Sequence, residues 1–211
     1  MPLTRFEKLE PERRTRLLGS SAQEFGSVGF EGASLGRIAE SAGMSKPALY
    51  YYFEDKADLY ATVVRTAWKR LTPRGRVDLQ SLGKEGFWPA LEAFHRAAFE
   101  SARREPWLLT VWKLAYHTPP PGAPAEVVSE VFDDARAFQK ALLRRGQELG
   151  VVRTDLPEDL LISILTGLDN AADHWLADHW ETLGFDEVAR LAQRVLETIR
   201  RTLAPSEDGE G

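Results

Sequence analysis

Residues 34–56 read SLGRIAESAGMSKPALYYYFEDK, and the fold of the chain is decided by how this run is parsed. Ser34 is a good N-cap, with a hydroxyl free to take an orphan N–H of the helix that follows. Leu35, Ile38, Ala39 and Ala42 recur at helical spacing and form one apolar face. Gly43 falls where that helix must stop and the chain needs a positive φ. Ser45 caps again, Pro47 sits in the first turn where its missing N–H costs nothing, and Leu49 and Phe53 make a buried pair. Helix, glycine turn and helix within about 20 residues is the helix-turn-helix layout, whose second helix enters the DNA major groove.

The same run resembles the N-terminal motif of TetR-type transcriptional regulators. There a Ser or Thr cap is followed by I-A-x-x-A-G-[VM]-S-x-x-x-L-Y-x-[YH]-F-x-x-K-x-x-L. The matching positions here are Ser34, Ile38, Ala39, Ala42, Gly43, Met44, Ser45, Leu49, Tyr50, Tyr52, Phe53, Lys56 and Leu59. The resemblance is specific over about residues 10–70 and architectural beyond them. It implies an all-α protein: an N-terminal three-helix helix-turn-helix domain joined to a larger helical ligand-binding and dimerisation domain. It also implies backbone contacts to DNA from Ser34, Tyr51, Tyr52 and Lys56, and approach to bases by Lys46, Pro47, Ala48 and Tyr50. Gly36 departs from members that carry a base-reading arginine at its position.

Composition bounds the classes. The chain has 211 residues, 43% hydrophobic and 28% charged, which suits one or two globular cores. No apolar run approaches the length of a membrane span, and the opening MPLTRFEKLE is too polar for a signal peptide. The absence of cysteine removes disulfides, thiolate metal sites and a cysteine nucleophile, and fits a cytoplasmic location. The net charge of −5 hides an asymmetry: residues 1–71 hold 11 Lys and Arg against 9 Asp and Glu, whereas residues 72–211 hold 16 against 23. A local basic surface is enough to meet phosphates, so whole-chain charge does not exclude nucleic acid.

Taken in order, the periodicity predicts a first helix over 11–25 with Leu17, Leu18, Ser21, Ala22 and Phe25 inward and Glu12, Arg13, Arg14 and Arg16 outward. Gly26, Gly29 and Gly32 then break it, and Phe30 plugs the three-helix core. After the two helices of the motif comes a fourth, Lys56–Leu71. The linker 72–86, rich in Pro and Gly, sets the expected domain boundary: a DNA-binding domain over 1–72 and a helical domain over 87–204. Helices are expected over 87–105, 107–117, 125–149, 157–180 and 186–203, followed by a disordered acidic tail, 205–211.

Three consecutive tyrosines cannot all be buried on one helix, because neighbours lie about 100° apart. Tyr50 and Tyr51, beside Ser45 and Lys46, therefore suit a surface offering hydroxyls to phosphates and rings to thymine methyls; exposed aromatics without a partner are the plain alternative. Lys56 opens a helix, where the helix dipole disfavours a cation, and a phosphate partner would explain it. In the second domain, Trp88, Phe99, Trp112, Tyr116, Phe138 and Trp175 are candidates for the wall of an apolar effector cavity, with core packing as the alternative for each. The last two helices resemble the family's dimerisation pair, with Leu161, Leu165, Leu168, Val188, Leu191, Val195 and Ile199 as interface candidates; packing within one subunit is the competing reading.

The segment 169–179, DNAADHWLADH, pairs Asp169 with Asp173 and His174 with Asp178 at i,i+4 spacing. One helix supplies only part of a metal-ligand set, and no metal or other cofactor is assigned. With no nucleophile elbow, P-loop or HExxH, the chain is not read as an enzyme. The expectation is a homodimeric repressor, released from a palindromic double-stranded DNA operator when a small hydrophobic molecule, such as a fatty acyl-CoA or an aromatic compound, binds the second domain. The alternative is a helix-turn-helix regulator whose second domain binds a partner protein.

Overall fold

The computed structural model describes residues 4–72, 77–116 and 121–205; within these, side chains 4, 115, 116 and 181 are not described. Ten α-helices and one 3₁₀ turn occur there, and no strand. They are α1 (Thr4–Glu7), α2 (Pro11–Gly32), α3 (Leu35–Ser41), α4 (Lys46–Tyr52), α5 (Lys56–Leu71), α6 (Phe87–Arg104), α7 (Trp107–Tyr116), α8 (Ala125–Glu148), α9 (Glu158–Leu183) and α10 (Phe185–Leu203). The 3₁₀ turn, Leu79–Ser81, lies in the expected linker. His117 and the tail beyond residue 205 fall outside the described residues.

The helices form two compact units, and the division differs from the one the linker suggests. One unit is Met1–Leu71 with Arg104–Val131; the other is Thr72–Arg103 with Phe132–Gly211. The boundary therefore falls within α8, and α7 belongs with the N-terminal helices. The physical reason is packing: α7 lies against both α2 and α5. Its Leu108, Leu109 and Val111 are buried, as are Val127, Val128 and Val131 at the start of α8. Ion pairs close the same contact, Arg65 to Glu130 and Arg70 to Glu105.

In this first unit Leu17, Leu18, Ala22 and Phe25 on α2 are fully enclosed, together with Ile38, Leu49, Phe53, Leu59 and Tyr60. The Tyr60 ring meets Phe25 edge-on at 5.1 Å and Phe30 at 5.4 Å, so Phe30 fills the position expected of it. The first helix, however, runs past Phe25. Gly26 stays helical, and α7 passes close beside it: a Cβ on Gly26 would stand 2.5 Å from Thr110 Cγ2, so only a glycine fits there without a shift. The break comes at Gly29, with φ 72° and ψ 177°, a conformation open essentially to glycine alone.

In the second unit Phe87, Trp88, Leu91, Leu142, Leu143, Val152, Leu161, Leu165, Leu196, Ile199 and Leu203 form the main core. Phe99, Leu176 and Val188 make a smaller cluster, bordered by Trp180 and Phe185. The α8 C-terminus is closed by the amides of Val151 and Val152, both donating to the Gly146 carbonyl at 2.9 and 3.1 Å.

Candidate nucleic-acid interface

Local capping builds the site. The Ser34 hydroxyl accepts from the Arg37 amide at 3.5 Å and starts α3; Ser45 accepts from the Ala48 amide at 3.2 Å and starts α4. Between them Gly43 takes φ 67°, the left-handed turn that lets the Met44 amide reach back to the Ala39 carbonyl at 2.8 Å. Ile38, Ala39, Ala42, Leu49 and Phe53 are buried beneath the turn. That burial turns the other face of α4 to solvent: Lys46, Pro47, Tyr50 and Tyr51 are exposed, with Ser45 beside them, and Ala48 and Tyr52 are half-buried. Tyr50 and Tyr51 retain 48% and 53% of their surface, which for rings this large is an apolar surface left uncovered by the protein's own packing.

Two interactions hold α3 and α5 in place, and neither is visible in sequence spacing. Glu24 on α2 accepts from the Ser34 amide at 2.9 Å and from Arg37 Nε at 2.8 Å. The Arg37 hydrogen bond holds the Glu24 carboxyl below its usual range. Arg37 also donates to the Gly32 carbonyl at 2.8 Å, closing the corner between α2 and α3. Lys56 has a structural task of its own. Its Nζ donates to the carbonyls of Glu31 at 2.9 Å and Ala33 at 3.3 Å and lies 4.7 Å from the Phe30 ring centre. These acceptors answer the question of why a lysine opens α5, without a phosphate. An ammonium has three N–H donors, so one remains for a further acceptor.

The second-domain candidates are dispersed. Trp88 sits in the main core, edge-on to Phe87 at 5.1 Å, and Phe99 stacks on Trp180 at 6.0 Å in the smaller cluster. Phe138 stacks on Phe94 at 5.4 Å, and Trp175 is 47% exposed with its ring on His179 at 4.0 Å. Trp112 is half-buried in the N-terminal unit, and the Tyr116 side chain is outside the described set. The interface candidates divide as well. Leu161, Leu165, Val188 and Ile199 are enclosed by their own protomer, at 4% exposure or less, so they cannot form a surface for a second copy. They are core residues because α9 and α10 pack on each other and on α6 and α8 through these positions. Leu168, Leu191 and Val195 are only partly buried. An open groove of about 290 Å³ between α9 and α10 is lined by Ala172, Trp175, Leu176, Leu191, Arg194, Val195 and Thr198.

Polar groups inside the second unit are few. Gln139 on α8 donates to Asp169 Oδ2 at 3.2 Å and accepts from Thr166 at 2.9 Å. Burial pushes the Asp169 carboxyl up to about 6 and the His95 imidazole down to about 4. His174 Nε2 lies 3.6 Å from Asp178 Oδ2, and His179 Nδ1 is 2.8 Å from the Trp175 carbonyl. Among the described residues no group of three or more His, Cys, Asp or Glu could hold a metal ion, and no helix is long and apolar enough to cross a membrane.

Two short capped helices around a left-handed glycine, the second baring lysine and tyrosines, define the helix-turn-helix class of DNA-binding regulator. The sequence profile of the bacterial regulatory proteins of the tetR family matches residues 17–63. The chain is similar to the HTH-type transcriptional repressor SCO4008 of Streptomyces coelicolor, 30% identical over 166 residues that cover 77% of this chain and 80% of that protein. In fold it is similar to the fatty acid degradation regulator FadR from Bacillus halodurans, with a TM-score of 0.71 at 17% identity over 90% of this chain and 95% of that one. It is likewise similar to the transcriptional regulator FadR from Bacillus subtilis in complex with stearoyl-CoA, with a TM-score of 0.67 at 15% identity over 87% and 96% of the two chains. The chain belongs to the TetR family of bacterial transcriptional regulators.

Proposed function

We propose that this regulator is a homodimeric repressor that binds a two-fold DNA operator through α3 and α4 and is released by a small hydrophobic effector. The observation that carries the DNA reading is the bared face of α4, where Lys46, Pro47, Tyr50 and Tyr51 face solvent while Leu49 and Phe53 anchor the helix from behind. Lys46, Pro47, Ala48 and Tyr50 approach base edges, and Ser34, Ser45, Tyr51, Tyr52 and the third donor of Lys56 meet phosphates. Repression is supported by the name of the relative from Streptomyces coelicolor, a transcriptional repressor.

A dimer is supported by the α9–α10 groove. Trp175 at 47% exposure is a large apolar side chain left in solvent, and Ala172, Leu191 and Val195 continue the surface. A two-fold pair would set its reading helices one helical turn of DNA apart, about 34–36 Å. Effector control is supported by the stearoyl-CoA bound to the Bacillus subtilis protein of like fold. Within the N-terminal unit, a displacement of α7 or the start of α8 reaches α2 and α5 through their packing and the Arg65–Glu130 and Arg70–Glu105 pairs. A coupling of about 1–3 kcal/mol is enough to release the operator.

The test is selection of duplexes from a random pool by the purified protein, followed by titration with Tyr50→Ala. The selected sequences share a two-fold motif, and Tyr50→Ala changes the ranking of operator variants. An equal loss on all of them removes Tyr50 from base reading, and a pool with no enriched motif removes the operator reading.

A further inference from the structure

Arg5 lies outside the helix-turn-helix motif, yet its guanidinium carbon stands 4.6 Å from the centre of the Tyr51 ring. The placement is built. Phe6, 5% exposed, packs its ring 5.2 Å from that of Phe53, and Leu9 is buried at 8%. The Lys8 and Leu9 amides turn back to the carbonyls of Arg5 and Phe6, both at 3.1 Å. These contacts pin α1 to the C-terminal end of α4. Tyr51 is itself braced edge-on by Tyr52 at 5.1 Å.

We propose that Arg5 is a DNA-backbone contact and that α1 is a phosphate-binding arm of the reading head, an inference that rests on the DNA reading above. A guanidinium held over a ring face by cation–π attraction keeps N–H donors for further acceptors, because its fork carries five of them. Among the described residues no carboxylate pairs with Arg5, so that fork is unspent. A phosphate presents paired oxygens in the geometry a guanidinium fork matches. Tyr51 is more than half exposed and sits at the end of α4 away from Lys46, so the pair faces the flank of the groove that α4 would enter. The contact with the Tyr51 ring places the guanidinium beside α4 before any DNA is bound.

The probe is a duplex enriched from a random pool by the wild-type chain, with affinity measured across a series of salt concentrations. Arg5→Ala is expected to weaken every duplex alike and to make the salt slope shallower by about 0.9 per bound protomer. Arg5→Lys, which keeps the charge, restores the slope. Because Arg5 is exposed, the melting temperature of Arg5→Ala matches wild type. An unchanged slope in Arg5→Ala overturns the proposal, as does a loss confined to one sequence with the slope unchanged. If the wild-type chain enriches no duplex and binds mixed-sequence DNA without salt dependence, the DNA reading itself falls, a result separable from failure at Arg5.

Discussion

Gly146→Ala tests the packing of the second unit at its tightest point. An added Cβ at residue 146 would overlap Val152 Cγ2, stand 2.9 Å from Phe87 Cζ and 3.1 Å from Val152 Cβ. Val152 Cβ is bonded to the backbone, and the Val152 amide is tied to the Gly146 carbonyl, so relief requires the chain after α8 to move. Overpacking of this kind costs about 1–3 kcal/mol. Two approaches below 3 Å put the cost in the upper part of that range, about 2–3 kcal/mol, and replacing a helical glycine by alanine returns about 1 kcal/mol of helix propensity, which leaves a net loss of about 1–2 kcal/mol. For a chain of this size that lowers Tm by roughly 2–8 °C. Gly19→Ala is the matched control: it is also helical, but its Cβ would meet Trp107 atoms no closer than 3.8 Å, an ordinary contact. It is expected to raise stability by up to about 1 kcal/mol. Scanning calorimetry or urea titration reads both. A Gly146→Ala protein as stable as wild type, or more so, refutes the packing argument.

Two buried titrating groups oppose each other in acid. Burial raises the folded pKa of Asp169 to about 6, so its contribution favours the folded state below pH 4 and is lost as pH rises through 6; Asp169→Asn is expected to gain up to about 3 kcal/mol over wild type at pH 7.5 and nothing near pH 4. The folded pKa of His95 is lowered to about 4, so stability is full above pH 6.5 and is lost as pH falls toward 4; His95→Leu flattens that fall, and Tm measured against pH checks both signs. Lys56→Ala is expected to cost about 1 kcal/mol through the carbonyls of Glu31 and Ala33, and to lower the DNA salt slope by about 0.9 per protomer; a lost Tm with an unchanged slope confines Lys56 to its structural task. Trp175→Asp puts a charge on the α9–α10 groove and is expected to shift light-scattering mass from two chains to one; a wild-type mass of one chain removes the dimer.

What the sequence made legible is what local chemistry decides. The Ser34 and Ser45 caps, the left-handed Gly43 and the burial of Leu49 and Phe53 depend on neighbours within a few residues, and all appear where the spacing puts them. The tasks of Lys56 and Arg37 are hidden because their partners lie as many as 25 and 13 residues away and three of them are backbone carbonyls, which carry no residue-type signal. Low helix propensity marks Gly26 as a breaker in the sequence, whereas the approach of Thr110, 84 positions along the chain, is a steric reason for a glycine at that place in the helix. The same long-range contact explains why the Pro- and Gly-rich linker misjudged the grouping of α7. The apolar stripes of α9 and α10 were visible, but a stripe does not say which of its residues face their own protomer: Leu161 and Val188 do, and Trp175 does not.

The uncovered Trp175 gives the protein an optical label of its own. The chain has six tryptophans, and Trp88 lies within the core, where its indole is shielded from solvent and from dissolved quenchers. Trp175, nearly half in water and with the imidazole of His179 stacked on its ring, is expected to emit toward the red and to be open to iodide. Loss of that iodide-accessible fraction as protein concentration rises would follow the covering of the groove directly, with no dye attached.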